Sequence, residues 1–111
     1  MAGLYGTRAA HRQLVAHILE GQGKTSQTLR RAAFDNNGLE APLDNLVNKV
    51  ARQPAQITDQ DVGAVIESGL SEDQVFELII CAAVGQSSRQ YELALKALDQ
   101  ARSEGGGKHA S

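Results

Sequence analysis

The hydrophobic positions of the chain recur at helical spacing in five segments. In residues 8–20, apolar side chains lie three and four positions apart, which places them on one side of an α-helix. Similar spacing follows in segments that begin near residues 25, 42 and 58, and a fifth segment covers residues 71–102. Aromatic residues, which favour strands, make up only 4% of the chain. The pattern predicts an all-α domain of about five helices.

Polar residues at the predicted helix starts support these boundaries. Thr25 or Ser26 is expected to cap the second helix and Thr58 the fourth, because a hydroxyl oxygen accepts a free N–H of the first turn. Ser71 and Gln74 have the spacing of a capping box in front of the fifth helix.

The fifth predicted helix changes character along its length. Residues 75–84 are apolar on every side, whereas the following turns are amphipathic. A helix that is apolar all round must be buried on every side, and four short helices are too few to enclose it. The sequence therefore predicts a homo-oligomer.

Residues 103–111 are expected to form a flexible tail, which leaves a single domain over residues 1–102.

Composition and charge exclude several classes of protein. The formal net charge is −2, whereas a nucleic-acid-binding protein needs a basic surface. A single cysteine rules out an internal disulfide framework. No apolar run approaches the roughly 20 residues that span a bilayer, and the first residues lack a signal-peptide pattern. We expect no nucleic-acid or membrane partner and a cytoplasmic location.

Cys81 is the residue that invites a redox interpretation. Its segment reads Cys-Ala-Ala-Val, so the second sulfur of a Cys-x-x-Cys couple is missing. The neighbouring residues are apolar, and burial raises the pKa of a thiol and makes it inert. A structural core cysteine is therefore favoured over a reactive one.

A narrow stripe of polar residues borders the apolar side of the fifth helix. At 100° per residue, Glu77, Cys81, Ser88 and Glu92 fall within about 60° of one another. A carboxylate beside an apolar surface can act as an acid or base. The alternative is that Glu77 pairs with an arginine or caps a neighbouring helix. Glu77, Cys81 and Ser88 are the candidate catalytic residues.

The histidines do not predict a metal site. His11 and His17 are six positions apart, about 240° around a helix, so they cannot chelate one metal from the same helix. His109 lies in the predicted tail. No metal and no cofactor are expected.

Two basic segments of the sequence are candidate binding sites. Lys24, Arg30 and Arg31 form a small cluster that suits an acidic partner, or else an ordinary solvated helix face. The Gly-Lys-Thr at residues 23–25 resembles the end of a phosphate-binding loop, but the upstream glycine and the preceding strand are missing. No phosphate site is predicted there.

Residues 43–98 resemble the C-terminal part of the AhpD-like, or carboxymuconolactone decarboxylase-like, superfamily. The similar segments are VARQPAQITDQDV, then ESGLSEDQVFELIICAAV, then the long amphipathic last helix. The resemblance implies an all-helical fold that is completed by oligomerisation. Peroxidases of that family carry a glutamate, a Cys-x-x-Cys and a histidine as a proton-relay site. This chain lacks that combination, so no catalytic residue is carried over.

Three functions follow from these observations. The first is a non-redox member of this superfamily that acts as an oligomeric binding or accessory protein. The second is a cofactor-free enzyme of the decarboxylase or isomerase type that uses Glu77. The third is a small helical regulator that binds an acidic partner through Lys24, Arg30 and Arg31. A thiol peroxidase is not expected.

Overall fold

The computed structural model describes the backbone of residues 2–110 and the side chains of residues 8–104. Within that part of the chain there are five α-helices, one 3₁₀ helix and no strand. In chain order the elements are α1 (Ala2–Glu20), α2 (Gln27–Asp35), α3 (Leu43–Arg52), the 3₁₀ helix Pro54–Gln56, α4 (Asp59–Glu67) and α5 (Glu72–Ala110). The predicted all-α class with about five helices is confirmed.

The predicted capping residues set the start of three helices. The Ser26 hydroxyl accepts a backbone N–H at the start of α2, at 3.1 Å. Thr58 and Asp61 form a reciprocal capping box at the start of α4. Ser71 and Gln74 form a second one before α5, at 2.9 and 3.1 Å. These bonds join residues three positions apart, so the local sequence is sufficient to predict them.

The first and last helices of the chain are longer than the sequence predicts. α1 begins at Ala2 instead of near residue 8, and α5 continues to Ala110 instead of ending near residue 102. Neither extension contains a proline, the residue that most firmly ends a helix. The flexible tail predicted for residues 103–111 lies mostly outside the part whose side chains are described, and it stays a prediction.

The core forms around the first half of α5. Helices α2 and α3 pack most extensively against α5, α4 packs against α3 and α5, and α1 lies against α2 and α5. The largest share of the core comes from α5. The buried cluster consists of Ala33, Leu43, Leu46, Val47, Val65, Val75, Leu78, Cys81 and Ala82.

Gly85 allows α2 to approach α5 closely. It lies inside α5, where glycine costs about 0.5–1 kcal/mol relative to alanine. A Cβ at this position would overlap the backbone carbonyl of Phe34, near the end of α2. The guanidinium of Arg89 donates to the same carbonyl oxygen at 2.7 Å. The absence of a side chain at Gly85 thus fixes the spacing between the two helices.

One side of α5 is not covered by the rest of the chain. Phe76 is 63% exposed, and Ala83 is also exposed. The single chain therefore leaves part of residues 75–84 exposed, because the other helices pack against only part of the circumference of α5. This agrees with the expectation that one chain cannot enclose the segment, and the homo-oligomer stays a prediction. Over the described residues, no helix is both long enough and apolar enough to cross a membrane.

Asp61 joins the last turn of α3 to the start of α4. Its carboxylate accepts from the Nζ of Lys49 at 2.8 Å and from the backbone N–H of Thr58 at 2.9 Å. Both side chains of the ion pair are mostly buried. The bonds from Lys49 and Thr58 lower the pKa of Asp61 to about 2.

We predict that Asp61 stabilises the fold least in acid. Its pKa is lower in the folded state than the about 3.9 of an unfolded chain, so its contribution is complete above pH about 4 and is lost as the pH falls towards 2. Urea unfolding of the wild type and of Asp61→Asn should differ most above pH 4. The effect of Asp61→Asn on the free energy of unfolding should be smaller when Lys49→Met is also present, because the ion pair is then already lost. An effect of Asp61→Asn that grows as the pH falls would contradict the interpretation.

Candidate functional site

The carboxylate of Glu77 binds the loop between α1 and α2. The backbone N–H of Lys24 donates to its Oε1 at 2.7 Å, and the backbone N–H and hydroxyl of Thr25 both donate to its Oε2 at 2.9 Å. Two neighbours on α5 hold the same loop. Gln74 donates to the carbonyl of Lys24 at 2.9 Å, and Asp73 pairs with the Lys24 ammonium at 2.9 Å.

These bonds keep Glu77 ionised. Burial raises the pKa of its carboxyl, but the donors of Lys24 and Thr25 and the charge of Arg30 outweigh burial and lower the pKa below its ordinary value. A carboxylate whose oxygens already accept three donors has no proton to give at neutral pH. The geometry supports the structural interpretation of Glu77 over its use as a general acid.

Arg30 holds the C-terminal end of α1. Its Nη1 donates to the carbonyl oxygens of Ile18, at 3.1 Å, and Gly21, at 2.7 Å. Ile18 lies in the last turn of α1 and Gly21 directly follows the helix, where backbone carbonyls have no helical N–H to accept from. The Arg30 side chain is buried, and its Nε has no hydrogen-bond partner in the described residues.

Cys81 lies beside this loop anchor. It is 1% exposed, and burial raises the pKa of its thiol. Together with Glu77, Arg30 and His17 it lines a cavity of about 220 Å³. The predicted burial of Cys81 is confirmed, because the residue belongs to the main buried cluster, whereas its low reactivity stays a prediction.

Ser88 and Glu92 line a different and larger cavity. This groove, as we call it below, has a volume of about 790 Å³ and lies between α1, α2 and α5. The polar stripe predicted on α5 is therefore divided. Glu77 and Cys81 lie at the small cavity, whereas Ser88 and Glu92 lie at the groove.

The groove combines an apolar lining with one buried hydroxyl group, and a second buried hydroxyl lies nearby on α5. Its apolar residues are Val15, Ala16, Leu19, Phe34 and Leu93. The Ser88 hydroxyl is buried and has no hydrogen-bond partner in the described part of the chain. One turn further along α5, the buried Tyr91 hydroxyl is also without a partner.

The predicted basic cluster is not one exposed patch. Arg30 is buried, whereas Lys24 pairs with Asp73 and the Nε of Arg31 donates to Asp35 at 3.1 Å. An acidic partner bound through these three residues stays a prediction, and it would have to displace existing interactions.

The histidines lie at separate places. The ring of His11 stacks on Tyr91 with centroids 4.6 Å apart, whereas His17 lines the small cavity. The side chain of His109 lies outside the described residues. Among the residues that are described, no three metal-ligating side chains come together.

The sequence does not predict that three arginines from different helices come together. Arg12, Arg31 and Arg89 all line the groove, although they belong to three different helices. Of the three, the sequence predicts a binding role for Arg31 alone, and on a different surface. Helical periodicity places Arg12 and Arg89 on their own helices, but it does not tell which helices pack together.

We predict that Glu77→Ala destabilises the fold by about 1–3 kcal/mol. The substitution leaves the buried donors of Thr25 without their acceptor. Urea unfolding monitored by circular dichroism measures the loss. The matched control Glu67→Ala, at an exposed position in α4, should change stability by less than about 0.5 kcal/mol. Equal effects of the two variants would argue against the loop anchor.

We predict that Cys81 reacts slowly with a thiol reagent in the native protein and rapidly in urea. The thiol is buried and its pKa is raised, so little thiolate is accessible. Cys81→Ser should cost about 1–3 kcal/mol, because a buried hydroxyl needs a partner. Peroxide turnover with a dithiol reductant that is abolished by Cys81→Ser would show that the thiol is reactive after all.

Comparison with known proteins does not assign this geometry to a family. No protein-family model matches the chain, and no curated protein or solved structure matches it significantly. The resemblance of residues 43–98 to AhpD-like proteins therefore rests on the sequence segments alone.

Proposed function

We propose that the protein is a non-redox, AhpD-like binding or accessory protein that works as a homo-oligomer. The observation that carries the proposal is a row of residues on the uncovered side of α5, which we call the α5 stripe. Its members follow one another at alternating intervals of four and three positions. They are Phe76, Ile80, Ala83, Ser87, Gln90, Ala94, Ala97 and Ala101.

The α5 stripe has the spacing of a helix–helix contact. Alternating steps of four and three average 3.5 residues, the repeat with which one helix packs along another. Every member is exposed except Ile80, which is half-buried. From its first to its last member the stripe extends about 38 Å at 1.5 Å per residue. It continues the apolar side of α5 that the single chain leaves uncovered.

The stripe is complementary to itself in an antiparallel pairing. Large residues occur at its start and small residues at its end, so a two-fold axis between Ser87 and Gln90 places each large side chain opposite a small one. Phe76 then faces Ala101, and Ile80 faces Ala97. Two-fold interfaces use the same patch on both subunits. These features support a second copy of this chain as the occupant.

A binding role is supported by the groove, which faces away from the α5 stripe. Residues 88, 89, 92 and 93 line the groove, and at 100° per residue they lie about 90° to 170° from the centre of the stripe. The decarboxylase or isomerase alternative is less well supported, because Glu77 is ionised and engaged with the loop. The acidic-partner alternative is weakened by the existing contacts of Lys24 and Arg31.

We predict that the wild type has twice the 11.8 kDa mass of one chain in light scattering and that Ala94→Glu is a monomer. The new carboxylate would be buried twice in the pairing, next to an apolar side chain, at a cost of several kcal/mol. Ala64→Glu is the matched control, since Ala64 is exposed on α4, and it should keep the wild-type mass. A wild type that stays at the mass of one chain over a wide concentration range would overturn the proposal.

A further inference from the structure

We propose that the groove binds a small organic anion with an apolar body. The anionic group would lie among the arginines, and the Ser88 hydroxyl would donate a hydrogen bond to an oxygen of the ligand. This inference rests on the binding role proposed above and assigns it a chemical class.

The size and lining of the groove suit an organic ligand. Its volume of about 790 Å³ lies within the range of about 300–1,000 Å³ that is usual for small-molecule sites. Val15 and Leu19 of α1 face the cavity together with Phe34 of α2 and Leu93 of α5. Leu93 is 67% exposed, so an apolar ligand would remove a large apolar side chain from water.

The Ser88 hydroxyl requires a partner that the described chain does not supply. The residue is more than nine-tenths buried, lines the groove and makes no hydrogen bond within the described residues. A buried hydroxyl without a partner is unfavourable, and native structures pair such groups with protein, water or ligand. A ligand oxygen in the groove would satisfy it.

A second unpaired hydroxyl extends the same site. Tyr91 lines an adjoining cavity of about 200 Å³, and this cavity shares His11, Arg12 and Glu92 with the groove. The Tyr91 hydroxyl is buried and unpaired in the described residues. The site thus has hydroxyl groups at two successive turns of α5.

The guanidinium donors around the groove suit the oxygens of an anion. Arg12, Arg31 and Arg89 line it against two carboxylates, Glu20 and Glu92. Arg89 and Arg31 are held by neighbouring groups, since Arg89 donates to Phe34 and Arg31 to Asp35. The Arg12 side chain is exposed and donates to no described residue, and its planar fork of donors has the geometry to bind a carboxylate at two points.

The test uses three probes with the same ten-carbon chain and different head groups. Isothermal titration calorimetry of the wild type with decanoate, decan-1-ol and decyltrimethylammonium, each below its micelle concentration, measures the preference directly. We expect decanoate to bind at least about tenfold more tightly than the other two, the effect of one charge-assisted hydrogen bond.

Three variants show whether decanoate binds in the groove. Arg12→Gln should weaken decanoate binding about tenfold and leave decan-1-ol binding unchanged. Ala16→Trp, at an exposed position in the groove wall, should fill the groove and abolish binding, with circular dichroism confirming that it folds. The matched control Arg52→Gln, at an exposed position in α3, should bind decanoate as the wild type does.

The inference is overturned if decanoate does not bind, if the three probes bind equally, or if Ala16→Trp binds as well as the wild type. It is also overturned if Ala94→Glu alone abolishes binding, since the probe would then occupy the subunit contact. Light scattering of the same samples separates the two proposals. A dimer that binds no decanoate refutes the ligand class alone, and a monomer that binds decanoate with the expected pattern refutes the oligomer alone.

Discussion

The carboxylate of Glu77 and the backbone of residues 24–25 form the contact on which the position of α1 and α2 depends. The loop between these helices contains two glycines and no apolar side chain, so hydrophobic packing alone cannot hold it. Three donors of the loop converge on Glu77 instead. Arg30 completes the arrangement by donating to the carbonyls of Ile18, in the last turn of α1, and of Gly21, just after the helix. α5 therefore positions α1 from a distance of more than fifty residues.

The same anchor accounts for the surroundings of two chemically suggestive segments, residues 23–25 and Cys81. The N–H groups of the Gly-Lys-Thr segment do bind an anion, as in a phosphate-binding loop, but the anion is the carboxylate of Glu77. Cys81 lies one turn further along α5, under the same loop and out of solvent. At this end of α5, Glu77 and Cys81 line only the small cavity of about 220 Å³. The groove around Ser88 is larger, at about 790 Å³.

The features that the sequence predicted well are local ones. Ser26, Thr58 and Ser71 cap helices because their partners are three residues away, and the burial of Cys81 follows from its apolar neighbours. The features it missed depend on which helices meet. The bond from Lys24 to Glu77 spans 53 residues, and the groove requires Arg12 and Ser88 from different helices. The apolar composition of residues 75–84 is visible in the sequence, but which of their sides the other helices cover is not, because periodicity does not show how helices pack together.

The groove has α1 as one of its walls, and this has a consequence for the dynamics of the molecule. α1 meets the rest of the chain through few elements, namely α2, α5 and the anchored loop. An element held in this way is expected to open locally at a lower free energy than the core around Leu46 and Leu78. Any molecule that fills the groove binds only the closed form, so it raises the free energy of that opening by mass action. Amide hydrogen exchange in α1 is then slower when the groove is occupied, so the exchange rate of this helix measures ligand binding.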